Sequence, residues 1–377
     1  MIYKDFKDKK LSALGYGLMR LPTTGKESEV DETEATRLID KAIENGINYF
    51  DTAWFYHGGN SETVAGKALG RHPRGSYYIA DKYPGVMPGN WANPEKFFET
   101  QLERMRTDRF DFYLFHNVCE MNIDAYTDDE KYGIHKYIIE QKKKGRITHL
   151  GFSAHGGIDV VRRFLEAFGD EMEFCQLQLN YLDWEFQSCR EKVELLDSYG
   201  IPVWVMEPLR GGKLASLKPE YEERLKALRP DEDAAAWAFR FAQSVPSVKM
   251  VLSGMTTEEA LDKNLKTFSE DRKLNSDEMD ALLAIAREMA ASGTVPCTAC
   301  RYCTSHCPQE LDIPNLISLY NEHTLTGGGF IAPMAMMALP EDKRPKACLH
   351  CRSCEEVCPQ QIKISEVMES FASKLRM

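Results

Sequence analysis

No run of about 18 apolar residues, the least a helix needs to cross a bilayer, occurs in this chain. A basic-then-apolar leader is missing too, because the opening Met1-Ile2-Tyr3-Lys4-Asp5 is too polar for one. Positive charge is in deficit. Lys and Arg number 47 against 58 Asp and Glu, a formal net charge of −11. Electrostatics therefore give no reason to hold nucleic acid or an anionic membrane. These absences set the expectation of a soluble, cytoplasmic protein with neither kind of partner. Before residue 297 cysteine is sparse, limited to Cys119, Cys175 and Cys189. The third glycine of a dinucleotide loop is also lacking. The first apolar run continues as Gly15-Tyr16-Gly17-Leu18-Met19-Arg20 with no helical pattern directly after it. A Rossmann sheet needs Gly-x-Gly-x-x-Gly at that point.

A regular alternation is present instead. Hydrophobic residues at 43% and charged residues at 28% are enough to build a buried core. A length of 377 residues suits one barrel plus a small appendix. Short apolar runs at 13–18, 47–51, 77–82, 110–116, 149–153, 174–179, 202–207 and 248–253 read as strands. Helical patterns lie between them. Asp31-Glu32-Thr33-Glu34 reads as a capped helix start with acidic residues in the first turn. Such an alternation fits an open doubly wound sheet or a closed barrel. A count of eight, spaced roughly 30 residues apart, favours an α/β fold of the (β/α)8 TIM-barrel type. A further helix is expected over 275–291. The domain boundary is placed near residue 293, giving domains 1–293 and 294–377. The stretch 325–345, rich in Gly, Pro, Met and Ala, reads as a long loop or loose insertion.

The tail repeats itself at an offset of 51 residues. Cys297, Cys300, Cys303 and Cys307-Pro308-Gln309 match Cys348, Cys351, Cys354 and Cys358-Pro359-Gln360. Four disulfides would need an exported chain. Structural zinc uses pairs of ligands across a wider gap. Three thiolates at two-residue gaps can instead wrap three corners of a cuboidal iron–sulfur cluster. Residues 294–366 resemble the two-cluster bacterial ferredoxins, which implies a C-terminal α-rich ferredoxin-like domain with two 4Fe–4S clusters. In that family the fourth cysteine of each run ligates the other cluster. The resemblance thus assigns Cys297, Cys300, Cys303 and Cys358 to one cluster, and Cys348, Cys351, Cys354 and Cys307 to the second. The 40 residues between Cys307 and Cys348 are more than a compact ferredoxin uses.

The strand ends carry the other chemistry. The second run ends at Asp51, with Tyr56 five residues on; the third ends at Lys82 and the fourth at His116. In a barrel these ends form one face. A phenol of pKa near 10 is a poor acid at neutral pH. A lysine ammonium beside it would lower that value, an aspartate would hold the lysine charged, and a histidine could orient a carbonyl oxygen. Together they could protonate that oxygen as hydride reaches its carbon.

On these residues, 11 to about 270 resemble the aldo-keto reductase family. Asp51-Thr52-Ala53 with Tyr56, Ser61-Glu62, Gly66, Ala68 and Leu69 is similar to its first signature, and Lys82 and His116 complete its catalytic tetrad. The resemblance implies a nicotinamide coenzyme, NADP or NAD, bound without a Rossmann loop. It places Ser153 and Gln176 at the carboxamide, and Pro208 and Leu209 in the loop over the pyrophosphate. It puts Gly254 and Asn264 at the adenosine end and counts Gly17, Met19 and Arg20 among the coenzyme-binding residues. Met206 stands where the family stacks an aromatic ring, and a thioether can still pack on a ring face. Ala154 replaces the usual Asn, and Ala260 the usual basic residue, so NADP and NAD both remain open. Trp54, Phe55, Tyr83, Trp91 and Trp184 fall on or near the active-face loops, either lining a substrate pocket or anchoring those loops.

The leading reading is an NAD(P)H-dependent oxidoreductase reducing an aldehyde, ketone or quinone, with Tyr56 as proton donor. A second is a ferredoxin-coupled protein passing electrons to a redox partner. It needs a device that splits hydride into single electrons, commonly a flavin. No covalent flavin site is recognisable, and a noncovalent flavin leaves little trace in a sequence. A third is a nicotinamide-binding regulatory subunit with little turnover.

Overall fold

The structure is a computed structural model that describes residues 1–377 apart from Glu27, Gly293, Thr298 and Met377. Among the described residues ten strands are formed: β1 Tyr3–Phe6, β2 Lys9–Ser12, β3 Leu14–Gly17, β4 Tyr49–Asp51, β5 Tyr78–Tyr83, β6 Phe110–Val118, β7 Ile147–Ala154, β8 Phe174–Gln178, β9 Val203–Met206 and β10 Val248–Ser253. Strands β3 to β10 close into one barrel in the order β10-β3-β4-β5-β6-β7-β8-β9. Each pair is parallel, from Tyr16 opposite Phe50 to Val251 opposite Leu14. All eight apolar runs carry one barrel strand, so the α/β (β/α)8 fold stands. The run-ends of the sequence therefore share one face of the barrel.

Local chemistry explains the connections. Asp31 caps the helix Glu32–Glu44, its side chain accepting from the backbone N–H of Glu34. Gly66 lets the helices Ser61–Leu69 and Pro94–Met105 meet closely, since a Cβ there would lie 2.4 Å from the Arg104 carbonyl oxygen. The antiparallel hairpin β1–β2 was not legible among the charges of Lys4, Asp5, Lys7, Asp8, Lys9 and Lys10. Its Phe6 meets Trp204 edge-to-face at 4.9 Å, within an aromatic cluster that also holds Phe112 and Phe174.

The chain divides into two compact units, 1–283 and 284–377. Residue 293, where the sequence places the boundary, lies outside the described residues. In the second unit the helices Ile313–Thr326, Ile331–Ala338 and Ile364–Lys374 bury Leu316, Met336, Met368 and Phe371 in a core of their own. The expectation of a loose segment over 325–345 is corrected here. Gly327 does end a helix, in a left-handed conformation. Past the glycines, Ala and Met are strong helix formers. Ala332 and Met336, four apart on one face of Ile331–Ala338, pack into the core. Among the described residues no helix is long and apolar enough to cross a membrane.

Candidate active site

Asp51 closes β4, Lys82 lies one residue inside the end of β5, and His116 sits within β6. The pairing of β6 with β7 shifts register between Phe115 and Val118, and Asn117 takes a left-handed φ of 56°. This irregularity falls directly at His116. The loop bearing Tyr56 leaves β4 through a turn in which the Tyr56 N–H donates to the Ala53 carbonyl at 3.1 Å.

The structure brings these side chains together. Lys82 Nζ donates to Asp51 Oδ1 and to the Thr52 carbonyl, both at 2.6 Å, and stands 3.4 Å from Tyr56 Oη. The rings of Tyr56 and His116 meet edge-to-face, with centroids 6.3 Å apart. Asp51 and Lys82 are almost fully buried. Burial works against the Lys82 charge, yet Asp51 and Tyr56 beside it hold its pKa above the ordinary value. Burial also pushes the Asp51 carboxyl up while Lys82 pulls it back. With the two charges in contact, we take the ion pair as the resting state. Burial then raises the Tyr56 phenol, and Lys82 lowers it by less. Lys82 thus lowers the phenol as the sequence leads one to expect, but burial outweighs it. His116 is held well below its usual value, first by burial and then by Lys82, so the imidazole is neutral.

Around this group lie the carboxamide candidates. Ser153 Oγ accepts the Asn117 N–H at 2.7 Å, leaving its own hydrogen free to donate. Gln176 Nε2 reaches Asp51 Oδ1 at 3.5 Å, while Gln176 Oε1 is buried with no hydrogen-bond partner among the described residues. A hydroxyl donor and an orphaned amide oxygen suit the two ends of a carboxamide, so the residues present fit a nicotinamide.

Met206 ends β9 opposite Gln178. The loop carrying Pro208 and Leu209 follows, with positive φ at Glu207, Arg210, Gly211 and Gly212. Glu207 Oε2 accepts the Gly211 N–H at 2.6 Å, and Arg210 is anchored to the buried Asp183. Met19 and Arg20 are exposed on the turn after Gly17. Arg20 lies over Gly254, whose Cβ would come 3.0 Å from that of Arg20. Asn264 is tied to the end of β10 by its amide donating to Ser253 Oγ at 3.0 Å. Of the aromatic residues, Trp54, Trp91 and Trp184 make ring contacts with Phe97, Tyr132 and Phe241, and Tyr83 is fully buried. Phe55 alone among the five is exposed.

In the tail, Cys297, Cys300, Cys303 and Cys358 line one small apolar cavity with Ile317, Ile362 and Ile364. Burial, and then the neighbouring thiols of Cys297, Cys300 and Cys358, push Cys303 up to about 11. Cys354 is pushed up to about 12 by burial, with Cys348 and Cys307 among the causes. Cys348 in turn has the thiols of Cys307 and Cys351 acting on it, so each group of four includes one cysteine of the other repeat. Among the described residues no three His, Cys, Asp or Glu side chains converge tightly enough for a single ion. A cuboidal cluster needs each thiolate at a different corner iron, and two sets of four thiols fit that demand. The loops are also alike in backbone. Ala299 and His350, Arg301 and Arg352, Glu310 and Gln361 are pairs at the 51-residue offset, and all six have positive φ. Non-glycine residues adopt that conformation at a cost that surrounding structure must offset, typically at functional sites.

Comparison with known proteins names the architecture. The model of the aldo/keto reductase family matches residues 13–287. This chain belongs to the aldo/keto reductase family. It also carries a 4Fe-4S dicluster domain, matched over residues 296–362. The uncharacterized oxidoreductase YqkF of Bacillus subtilis is 25% identical over 306 residues, covering 73% of this chain and 92% of that protein. The NADH-specific methylglyoxal reductase of Escherichia coli is 25% identical over 305 residues, covering 70% and 89%. A holo-form aldo-keto reductase of Bacillus halodurans superimposes with a TM-score of 0.61 at 26% identity, covering 76% of this chain and 96% of that one. The protein is thus an oxidoreductase of the aldo/keto reductase family that carries an iron–sulfur-type domain.

Two features of this aldo/keto reductase escaped the sequence. The Thr52 carbonyl is a third partner of the Lys82 ammonium, and a backbone acceptor leaves no mark on residue type. Gln101 and Asp81 are fully buried polar residues behind Lys82. The signal for Gln101 was available, as a polar residue on the apolar face that Phe97, Phe98, Leu102 and Met105 give its helix.

Proposed function

We propose that the barrel reduces a small aldehyde, ketone or quinone using NADH or NADPH, with Tyr56 as the proton donor. The observation that carries this is the Lys82 ammonium held between Asp51 at 2.6 Å and Tyr56 at 3.4 Å. A reduced nicotinamide, when bound, supplies the hydride. Ser153 and Gln176 would orient its carboxamide, with Met206 against the ring. The chain's own residues deliver the proton. Tyr56 Oη gives its hydrogen to the carbonyl oxygen as negative charge develops there, and the adjacent ammonium stabilises the phenolate left behind. Asp51 keeps that ammonium charged and aimed. Neutral His116 can hydrogen-bond the same oxygen without competing for the proton. The methylglyoxal reductase relative supports a small carbonyl substrate.

In the tail the eight cysteines would hold two 4Fe–4S clusters, which supply one-electron chemistry. Cys300 and Cys351 are exposed, favouring exchange with a redox partner over a purely structural role. The deciding assay follows oxidation of NADH and of NADPH anaerobically, by loss of the reduced nicotinamide absorbance, with a panel of aldehydes, ketones and quinones. Turnover with either coenzyme supports the reading, and binding of both without turnover across the panel overturns it.

A further inference from the structure

The helix Pro94–Met105 presents Phe97, Gln101 and Arg104 at spacings of four and three residues, which place them on one face. That face reaches the supports of both Lys82 and Tyr56. Gln101 Nε2 donates to the Lys82 carbonyl at 2.9 Å and to Asp81 Oδ1 at 2.9 Å. Asp81 Oδ1 also accepts the Lys82 N–H at 2.8 Å. Gln101 therefore holds one backbone group of Lys82 directly and the other through Asp81. Its own Oε1 accepts from Tyr113 Oη at 2.6 Å, which fixes the amide.

The same face continues to the tyrosine loop. Arg104 Nη1 donates to Glu62 at 2.8 Å, Gln101 Nε2 lies 3.1 Å from the same carboxylate and shares its two hydrogens among three acceptors, and Glu62 is completely buried. The Arg104 guanidinium lies over the Trp54 ring, 3.9 Å from its centre, and Phe97 meets that ring edge-on at 5.0 Å. Trp54 belongs to the turn closed by the Tyr56 N–H on the Ala53 carbonyl, so its placement is passed to Tyr56. The close helix contact at Gly66 leaves Glu62 and Arg104 little room to slide past one another.

We infer that Glu62, Gln101 and Arg104 are positioning residues that set the distance between Tyr56 Oη and Lys82 Nζ. This inference rests on the proton-delivery reading given above. One helix registers the strand that carries the ammonium against the loop that carries the phenol. A buried polar relay is a costly way to join helices that apolar side chains could join as well. Its directed contacts suit geometry more than stability.

The test compares Glu62→Gln/Arg104→Met, which avoids leaving a lone buried carboxylate, with Arg104→Lys and Tyr56→Phe. A displacement of order 1 Å at reacting groups costs up to about 100-fold. The double variant is expected to lose roughly 10- to 100-fold in kcat with the KM for coenzyme unchanged. Arg104→Lys keeps the charge for Glu62 but not the flat face on Trp54, so it recovers only part of the rate. In a Tyr56→Phe background the double variant should lower the rate no further. Unchanged kcat in the folded double variant overturns the inference, as does an equal further loss in the Tyr56→Phe background. If the double variant fails to unfold cooperatively, Arg104→Lys decides: a several-fold loss in kcat at constant KM supports the inference, and full activity overturns it. If Tyr56→Phe itself retains full rate, the proton-delivery reading falls and this inference with it. A slow Tyr56→Phe beside a fully active double variant removes this inference alone.

Discussion

The Lys82 ammonium bonds Asp51 at 2.6 Å while standing 3.4 Å from the Tyr56 hydroxyl. The shorter contact holds the charge and the longer one leaves the phenol its proton. Lys82 is thus clamped by the carboxylate and the Thr52 carbonyl, and free to strengthen its bond to Tyr56 only as charge appears on that oxygen.

Removing one partner of this pair should expose its cost. In Lys82→Met the Asp51 carboxylate is left buried without its counter-charge, a situation worth about 3–5 kcal/mol of destabilisation. Chemical denaturation should show that loss. Asp51→Asn/Lys82→Met should regain most of the stability while remaining inactive. A double variant as unstable as Lys82→Met would mean that the charge is not the cause.

The pH profile follows from the directions of the shifts. Tyr56 acts when protonated, and burial raises its pKa above the ordinary 10.0. Reduction should therefore hold through neutral pH and fall only above that value. Burial, followed by Lys82, lowers His116 well below its ordinary 6.5, so it stays neutral as pH passes through that value. The profile of kcat should show no inflection near 6.5 that His116→Gln removes. Such an inflection would mean that His116 titrates as an exposed histidine.

The cysteine sets make a combinatorial prediction. Cys358→Ala and Cys297→Ala fall in the same set, so combining them should cost no more iron than either alone. Cys307→Ala joined to Cys358→Ala strikes both sets and should lose both clusters. Iron and sulfide content with electron paramagnetic resonance reads the outcome. Equal losses from the two pairings would contradict the crossed assortment.

Much of this was legible because barrel strands and cluster loops write themselves into residue type. Eight apolar runs fall on eight strands, and the 51-residue repeat of cysteines reappears as matched positive φ at Arg301 and Arg352. What escaped depends on partners far apart in the chain. The Phe6 hairpin is short and charged, so only its aromatic contacts reveal it. Helix Ile331–Ala338 hid behind three glycines that end its predecessor rather than loosen the segment. The rise in the Tyr56 pKa comes from burial by surrounding elements, which no local pattern encodes.

The most direct test of the central claim is the rate of carbonyl reduction by Tyr56→Phe beside the unaltered protein, with coenzyme binding measured on both. Phenylalanine keeps the ring against His116 and removes only the hydroxyl. General-acid catalysis of this kind contributes about 10²- to 10⁴-fold. The account predicts a loss of that size in kcat with coenzyme affinity retained. Undiminished turnover by Tyr56→Phe would contradict it.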